Sequence, residues 1–226
     1  MTDFIYQLMP NFESLEGEFL ECFYQTLIMI AVSGTIAWFL GVALGVTLVV
    51  TKKGGIAPHR LVFTIADRAI DVIRSVPFII LMVLLIPLSR LIVGTGSGLA
   101  GSFVALVFGT VPFFARQIEQ VLSDVDSGLI EAAQAMGFSP REIIFSVYLR
   151  EAIPGITRVT MITFVSFVGI TAIAGAIGAG GLGDFAIRYG YQMGYRDMIW
   201  LTVVVILLMI SIFQFLGSIV IKKTTH

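Results

Sequence analysis

Charge is what this chain has least of. Only 13% of its 226 residues are Asp, Glu, Lys or Arg, where a soluble domain carries about 25%. Too little polar surface remains to coat a water-soluble fold. The net charge of −1 gives no basic excess for neutralising phosphates, which excludes nucleic acid as a partner. A single cysteine, Cys22, cannot close an internal disulfide, and a lone thiol beside an apolar run reads as a small packed residue. The two histidines, His59 and His226, stand in a loop and at the terminus without companion ligands, so no metal site is expected. Residues 1–22 hold Asp3, Glu13, Glu16, Glu18 and Glu21 but no Lys or Arg, so the positive start of a signal peptide is missing. No GxxxxGK[ST] loop occurs. The chain is therefore not expected to hydrolyse ATP itself.

Apolar length is abundant. The chain is 57% hydrophobic, with a mean hydropathy of +0.97. Crossing a bilayer takes about 20 apolar residues, and four uncharged runs suffice: Cys22–Val50, Leu91–Ala115, Val159–Gly183 and Met198–Ile221. A fifth, Ser75–Ser89, lies between Arg74 and Arg90 and is long enough only if its helix begins within LVFTIADRAIDVIRSVPF. Arg68, Asp71 and Arg74 mark the polar face of that helix, which is expected to enter the membrane bent at Pro77. The reading is an all-α membrane protein with an external segment 1–20 and one transmembrane domain, 21–222. Its five spans lie near 23–50, 64–90, 95–118, 155–181 and 198–221.

Cations orient the spans. Lys52, Lys53, Arg60, Arg68, Arg74, Arg116, Arg141, Arg150, Arg158, Lys222 and Lys223 fall on one side, against Arg90, Arg188 and Arg196 on the other. Eleven against three puts the C-terminus and the 124–150 loop in the cytoplasm and the N-terminus outside. Sinking Glu131, Arg141, Glu142, Arg150 and Glu151 into lipid would cost on the order of 15 kcal/mol, at about 3 kcal/mol per charge.

That loop has its own local chemistry. Asp126 or Ser127 caps a short helix whose apolar side is Leu129, Ala133 and Met136, and Gly137 ends it. Ser139-Pro140-Arg141-Glu142 is a capping box that opens a second helix carrying Ile143, Ile144, Val147 and Tyr148. Pro154 marks a break at the start of the next span. A plain connection needs only a few residues, so roughly thirty in capped, amphipathic structure suggest a docking surface.

The pattern Glu131-Ala132-Ala133, three residues, Gly137, and later Ile153-Pro154 resembles the EAA loop of bacterial ABC-importer permeases. With RSVPFIIL (74–81), GLIEAAQAMGFSP (128–140), EAIPG (151–155) and GAIGAGGLGDFAIRYGY (175–191), the chain is similar to five-span permeases of methionine-uptake importers over residues 20–220. Ile153 stands where the general pattern often has Leu. The resemblance implies a homodimer in the bacterial inner membrane, two separate ATPase subunits holding ATP and Mg, and a periplasmic or lipid-anchored binding protein. It makes Glu131, Ala132, Ala133, Met136, Gly137, Ser139, Pro140 and Arg141 the ATPase-coupling residues. The path or gate would involve Pro77, Phe164, Phe167, Gly169, Ala172 and Gly175. Asp184, Arg188, Tyr189 and Tyr191 would meet the binding protein.

Gly178-Ala-Gly180-Gly181-Leu-Gly183 matches GxGxxG, with Asp197 lying 19 residues beyond the first glycine. A dinucleotide fingerprint needs a preceding strand, whereas a long apolar span precedes this one. Close helix packing or a flexible outer end fits better. The rival function, a self-powered transporter or channel, needs ionisable groups inside its spans, and the four long runs have none. An intramembrane serine protease lacks a histidine base in any span.

Overall fold

The computed structural model describes residues 10–224, and those residues form helices joined by short turns. Lipid offers no hydrogen bonds, so an apolar chain in it must satisfy its backbone internally, which a helix does. Helix α1 is continuous over Phe12–Thr51, with a π-helical turn at Ile30–Gly34. It begins well before the uncharged run, because FESLEGEFLE is itself a good helical sequence; the external segment expected at 1–20 is helical from Phe12. Among the described residues, four helices are long and apolar enough to cross a membrane: α1, then Gly98–Ser123, Ile153–Ala179 and Arg196–Thr224.

The stretch expected to be one bent span is broken twice. Helix α2 covers Arg60–Ser75, α3 Phe78–Leu84 and α4 Ile86–Val93. Val76 is extended (φ −89°, ψ 123°) because the ring of Pro77 crowds the residue before it out of the helical region. Leu85 (φ −87°, ψ 0°) marks the second break, and Pro87, which has no N–H to give the preceding turn, sits in the first turn of α4. Helix α5 (Gly98–Ser123) runs past its expected end near 118 and carries Arg116 inside it. The 124–150 loop forms α6 (Ser127–Ala135) and α7. The latter starts at Pro140–Ile143 and continues through a π-helical stretch, Ile144–Tyr148, to Glu151. Helix α8 is Ile153–Ala179, kinked in its last turn where Ile177 (φ −111°) and Gly178 (φ 97°) leave helical geometry; α9 is Gly181–Phe185, followed by a π-helical Ala186–Gln192, and α10 is Arg196–Thr224.

The chain divides into two compact units, with boundaries inside the long helices. One contains the chain up to Thr35, Pro77–Val107 and Phe164–Ile212. Its cores gather Met29, Leu106, Phe167, Ala174 and Ala179, and, separately, Phe19, Cys22, Leu182, Phe185, Tyr189 and Met198. The other contains Ile36–Val76, Phe108–Thr163 and the chain from Phe213 on. Its main core joins Val49, Phe114, Ile118 and Leu122 to Ala133, Ile143, Tyr148 and Ala152 of the loop. Glycine permits the close approach of α1 and α5 there. A Cβ on Gly41 would lie 2.5 Å from the Phe114 ring, and one on Gly45 would lie 2.6 Å from Ile118.

Candidate functional site: the 124–150 loop

The loop is built from local signals. Asp126 caps α6, its carboxylate accepting the Gly128 N–H at 2.7 Å. Beyond Met136 the chain turns left-handed at Gly137 (φ 82°), where a side chain would be strained. The Gly137 N–H then donates to the Gln134 carbonyl at 3.0 Å and the Phe138 N–H to that of Ala133 at 3.1 Å. This is a Schellman closure, and it satisfies carbonyls the helix end leaves over. Two residues later the capping box is complete. The Ser139 N–H and Oγ both donate to Glu142 Oε2 at 2.7 Å, and the Glu142 N–H donates to Ser139 Oγ at 3.4 Å. The Ser139 hydroxyl and backbone N–H hold the Glu142 carboxyl below the usual carboxylate range. Burial pushes the Tyr148 phenol up.

Packing decides which face the loop shows. Ala133 is 2% exposed and, with partly buried Ile130, lies on the core formed by α1, α5 and α7. Leu129 and Met136, expected on the packed side with Ala133, point outward, and Met136 is 67% exposed. The correction has a simple cause. On a nine-residue helix with neighbouring apolar residues, tertiary contacts choose the inner face. Glu131, Ala132, Gln134, Ala135, Gly137, Ser139, Pro140 and Arg141 are exposed. Phe138 and Phe145, the latter 72% exposed, line an open cavity of about 480 Å³ with Arg141, Glu142 and Ser146. The loop therefore presents apolar side chains and charges on a frame held by caps and by the α5 core. A surface of this make-up, in water, suits a protein partner.

The other expected site residues fall in the first unit. Pro77 stands at the start of α3, Phe164 is half-buried, and Phe167 is buried beside Met29 and Leu106. Gly169 faces open space. Ala172 packs directly on Gly183, and a Cβ on Gly175 would lie 2.6 Å from the Gly180 carbonyl oxygen, so tight packing accounts for both small residues. Asp184 pairs with Arg188 at 2.8 Å, with Glu18 of α1 3.8 Å from the same guanidinium. Tyr189 is buried against Phe185 under that guanidinium, while Tyr191 is exposed.

Two arrangements escaped the sequence reading. The glycine-rich stretch is a tight turn, with Gly178, Gly180 and Gly181 all at positive φ. It brings the start of α9 onto α1, where Gln25 Oε1 accepts the Gly181 N–H at 2.7 Å and Thr26 Oγ1 the Leu182 N–H at 2.8 Å. Arg116 of α5 meets Asp67 and Asp71 of α2 and Glu119 of α5. Neither has a local signature, since the partners are 156 residues apart in the first case and 45 to 49 between α5 and α2 in the second.

An all-helical fold of long apolar helices, with a capped polar loop between the third and fourth of the expected spans, defines a membrane transport component. Residues 40–225 match the family described as "Binding-protein-dependent transport system inner membrane component", and the chain belongs to that family. It is 42% identical over 203 residues to the probable D-methionine transport system permease protein MetI of Vibrio cholerae, covering 90% of each chain. It is 36% identical to the corresponding Haemophilus influenzae protein, over 90% of this chain and 95% of that one. Among solved structures, an inward-facing MetNI methionine ABC transporter superposes with a TM-score of 0.90 at 36% identity, over 95% of this chain and 99% of the other. A structure described as an amino acid ABC transporter with histidines, at 20% identity and a TM-score of 0.76, shares the fold.

Proposed function

We propose that this chain is the membrane-spanning permease subunit of an ATP-driven importer of methionine. Two copies form the path, and each docks one ATPase subunit through its 124–150 loop. The observation that carries the reading is the outward face of that loop. Its apolar residues and its Glu131 and Arg141 charges stand clear of a frame fixed by the Asp126 cap, the Gly137 turn and the Ser139–Glu142 box. The relatives' names supply the cargo, and the D-methionine in the names of the Vibrio and Haemophilus relatives makes both enantiomers substrates to try.

The five crossings are α1, the α2–α4 stretch, α5, α8 and α10, with the N-terminus outside and the C-terminus in the cytoplasm. ATP and Mg belong to the partner ATPase. A periplasmic or lipid-anchored binding protein delivers solute to the outer face near 184–197, where Tyr191 is exposed. ATP binding draws the two loops together and opens the spans outward; hydrolysis returns them inward. This chain supplies passive parts: a rigid loop, a packed α5 core and a path.

The test is purification of the tagged chain from native membranes, with Glu131→Arg and Gly137→Leu beside it, together with uptake of labelled D- and L-methionine. The native chain is expected to bring down an ATPase bearing a phosphate-binding loop and to support uptake of one or both enantiomers. Both variants should insert normally yet lose the ATPase and the uptake, the second because leucine is strained at φ 82°. An intact, active complex without any ATPase would make the chain a self-powered transporter instead.

A further inference from the structure

The ion cluster on α5 carries an inference that rests on the importer reading. Arg116 lies about two turns before the end of its helix. Its Nη2 is 2.5 Å from Asp67 Oδ1 and 2.8 Å from Asp71 Oδ1, and it also donates to the Asp67 carbonyl at 3.3 Å. Its Nη1 donates to Glu119 Oε2 at 2.8 Å. Asp67 and Asp71 are four apart, so one face of α2 offers both carboxylates to one planar guanidinium. Arg116 is only 22% exposed, which makes these charges dearer to separate than a pair on open surface.

Helix α5 is the shared member of two attachments. On one side Phe114, Ile118 and Leu122 pack against Ala133, Ile143 and Tyr148, and Ala133 sits inside the Glu131–Gly137 motif. On the other, α2 buries Ile70 against Leu48 and Ala115 and is pinned by Arg116. A push on the loop therefore reaches α5 through an apolar core, and α5 holds α2 through a directional ionic fork.

We infer that Arg116 is a positioning residue of the transport cycle, the clasp that makes α2 follow α5 when the ATPase displaces the loop. Arg116 is not part of the loop, so its contribution is mechanical. Losing it frees α2 from the stroke while the ATPase keeps its dock.

The test uses the whole complex, chain plus ATPase subunits, in proteoliposomes supplied with the binding protein. ATP hydrolysis and labelled methionine uptake are measured in the same vesicles for Arg116→Leu, Arg116→Lys and the double variant Asp67→Asn/Asp71→Asn. With Leu and with the double variant, ATP consumed per methionine imported is expected to rise about two- to thirty-fold, the span of couplings carried by such connections. Lysine, a point cation without the fork, is expected to restore part of the native ratio. A purely structural role lowers complex yield and both rates together and leaves the ratio native; that result overturns the inference. If Arg116→Leu does not assemble, the nearly isosteric Asn pair decides by the same ratio. A native complex without ATP-driven methionine uptake would overturn the importer reading, and the inference with it.

Discussion

Glu142 shows how much one side chain does at the head of α7. Its carboxylate accepts the Ser139 N–H and hydroxyl, and in return its own N–H is capped. Those bonds favour the ionised form, so the folded-state pKa lies below the ordinary value of 4.5. A carboxyl depressed in this way contributes stability that is fully present above the unfolded pKa and is lost as pH falls through the folded one. The α7 cap should therefore be indifferent to pH across the neutral range and loosen only below pH 4.5. Hydrogen exchange at the Ser139 and Glu142 amides reads this directly, and Glu142→Gln should flatten the acid limb. A rise in exchange already near pH 6 in the native chain would contradict the assignment. This cap was legible in the sequence because all of its partners fall within four residues. Ile130, by contrast, was passed over for Leu129 and Met136, because helical spacing alone allowed either face and only the α5 core separates them.

Among elements, α9 depends most on a distant partner. Even with its π-helical continuation to Gln192 it is marginal on its own, and its first N–H groups find their acceptors on α1. Replacing Gln25 by Leu or Thr26 by Val removes an acceptor from a donor with little water nearby, a loss of about 1–3 kcal/mol each. Both variants should unfold at a lower temperature in detergent, and Thr26→Val the more so, since Thr26 is 3% exposed. Equal melting of native and variant chains would show that those N–H groups find other partners. The glycines of this turn were visible as a cluster but not as a docking joint, because nothing near Gln25 announces a partner 156 residues away. The broken α2–α4 stretch teaches the same lesson in reverse: Pro77 was read as a bend in one span, yet helices end and restart there and again at Leu85, next to Pro87.

At the scale of the whole molecule, orientation is the sharpest expectation. Cys22 is buried and is the only native thiol, so Cys22→Ala gives a clean background. With an impermeant maleimide on spheroplasts, a cysteine at exposed Gln192 should label at once. One at exposed Lys53, on the cytoplasmic side but outside the ATPase dock, should label only after permeabilisation. The reverse order would invert the topology; labelling of both from one side would remove a crossing. Most of the all-helical architecture could be read from composition, since long uncharged runs have few alternatives in lipid. The long-range joints could not. Those joints also set a timetable for synthesis. Gln25 and Thr26 are made early, but their partners, Gly181 and Leu182, follow 156 residues later. At about 5–20 residues per second the ribosome needs roughly 8–30 s to deliver them. Asn11 waits longer still, for Asp197, 186 residues on. The N-terminal half of the first helix is thus locked late, long after its other half has met α5, and a chain cut short before Gly181 leaves the Gln25 amide and Thr26 hydroxyl without the turn they are built to receive.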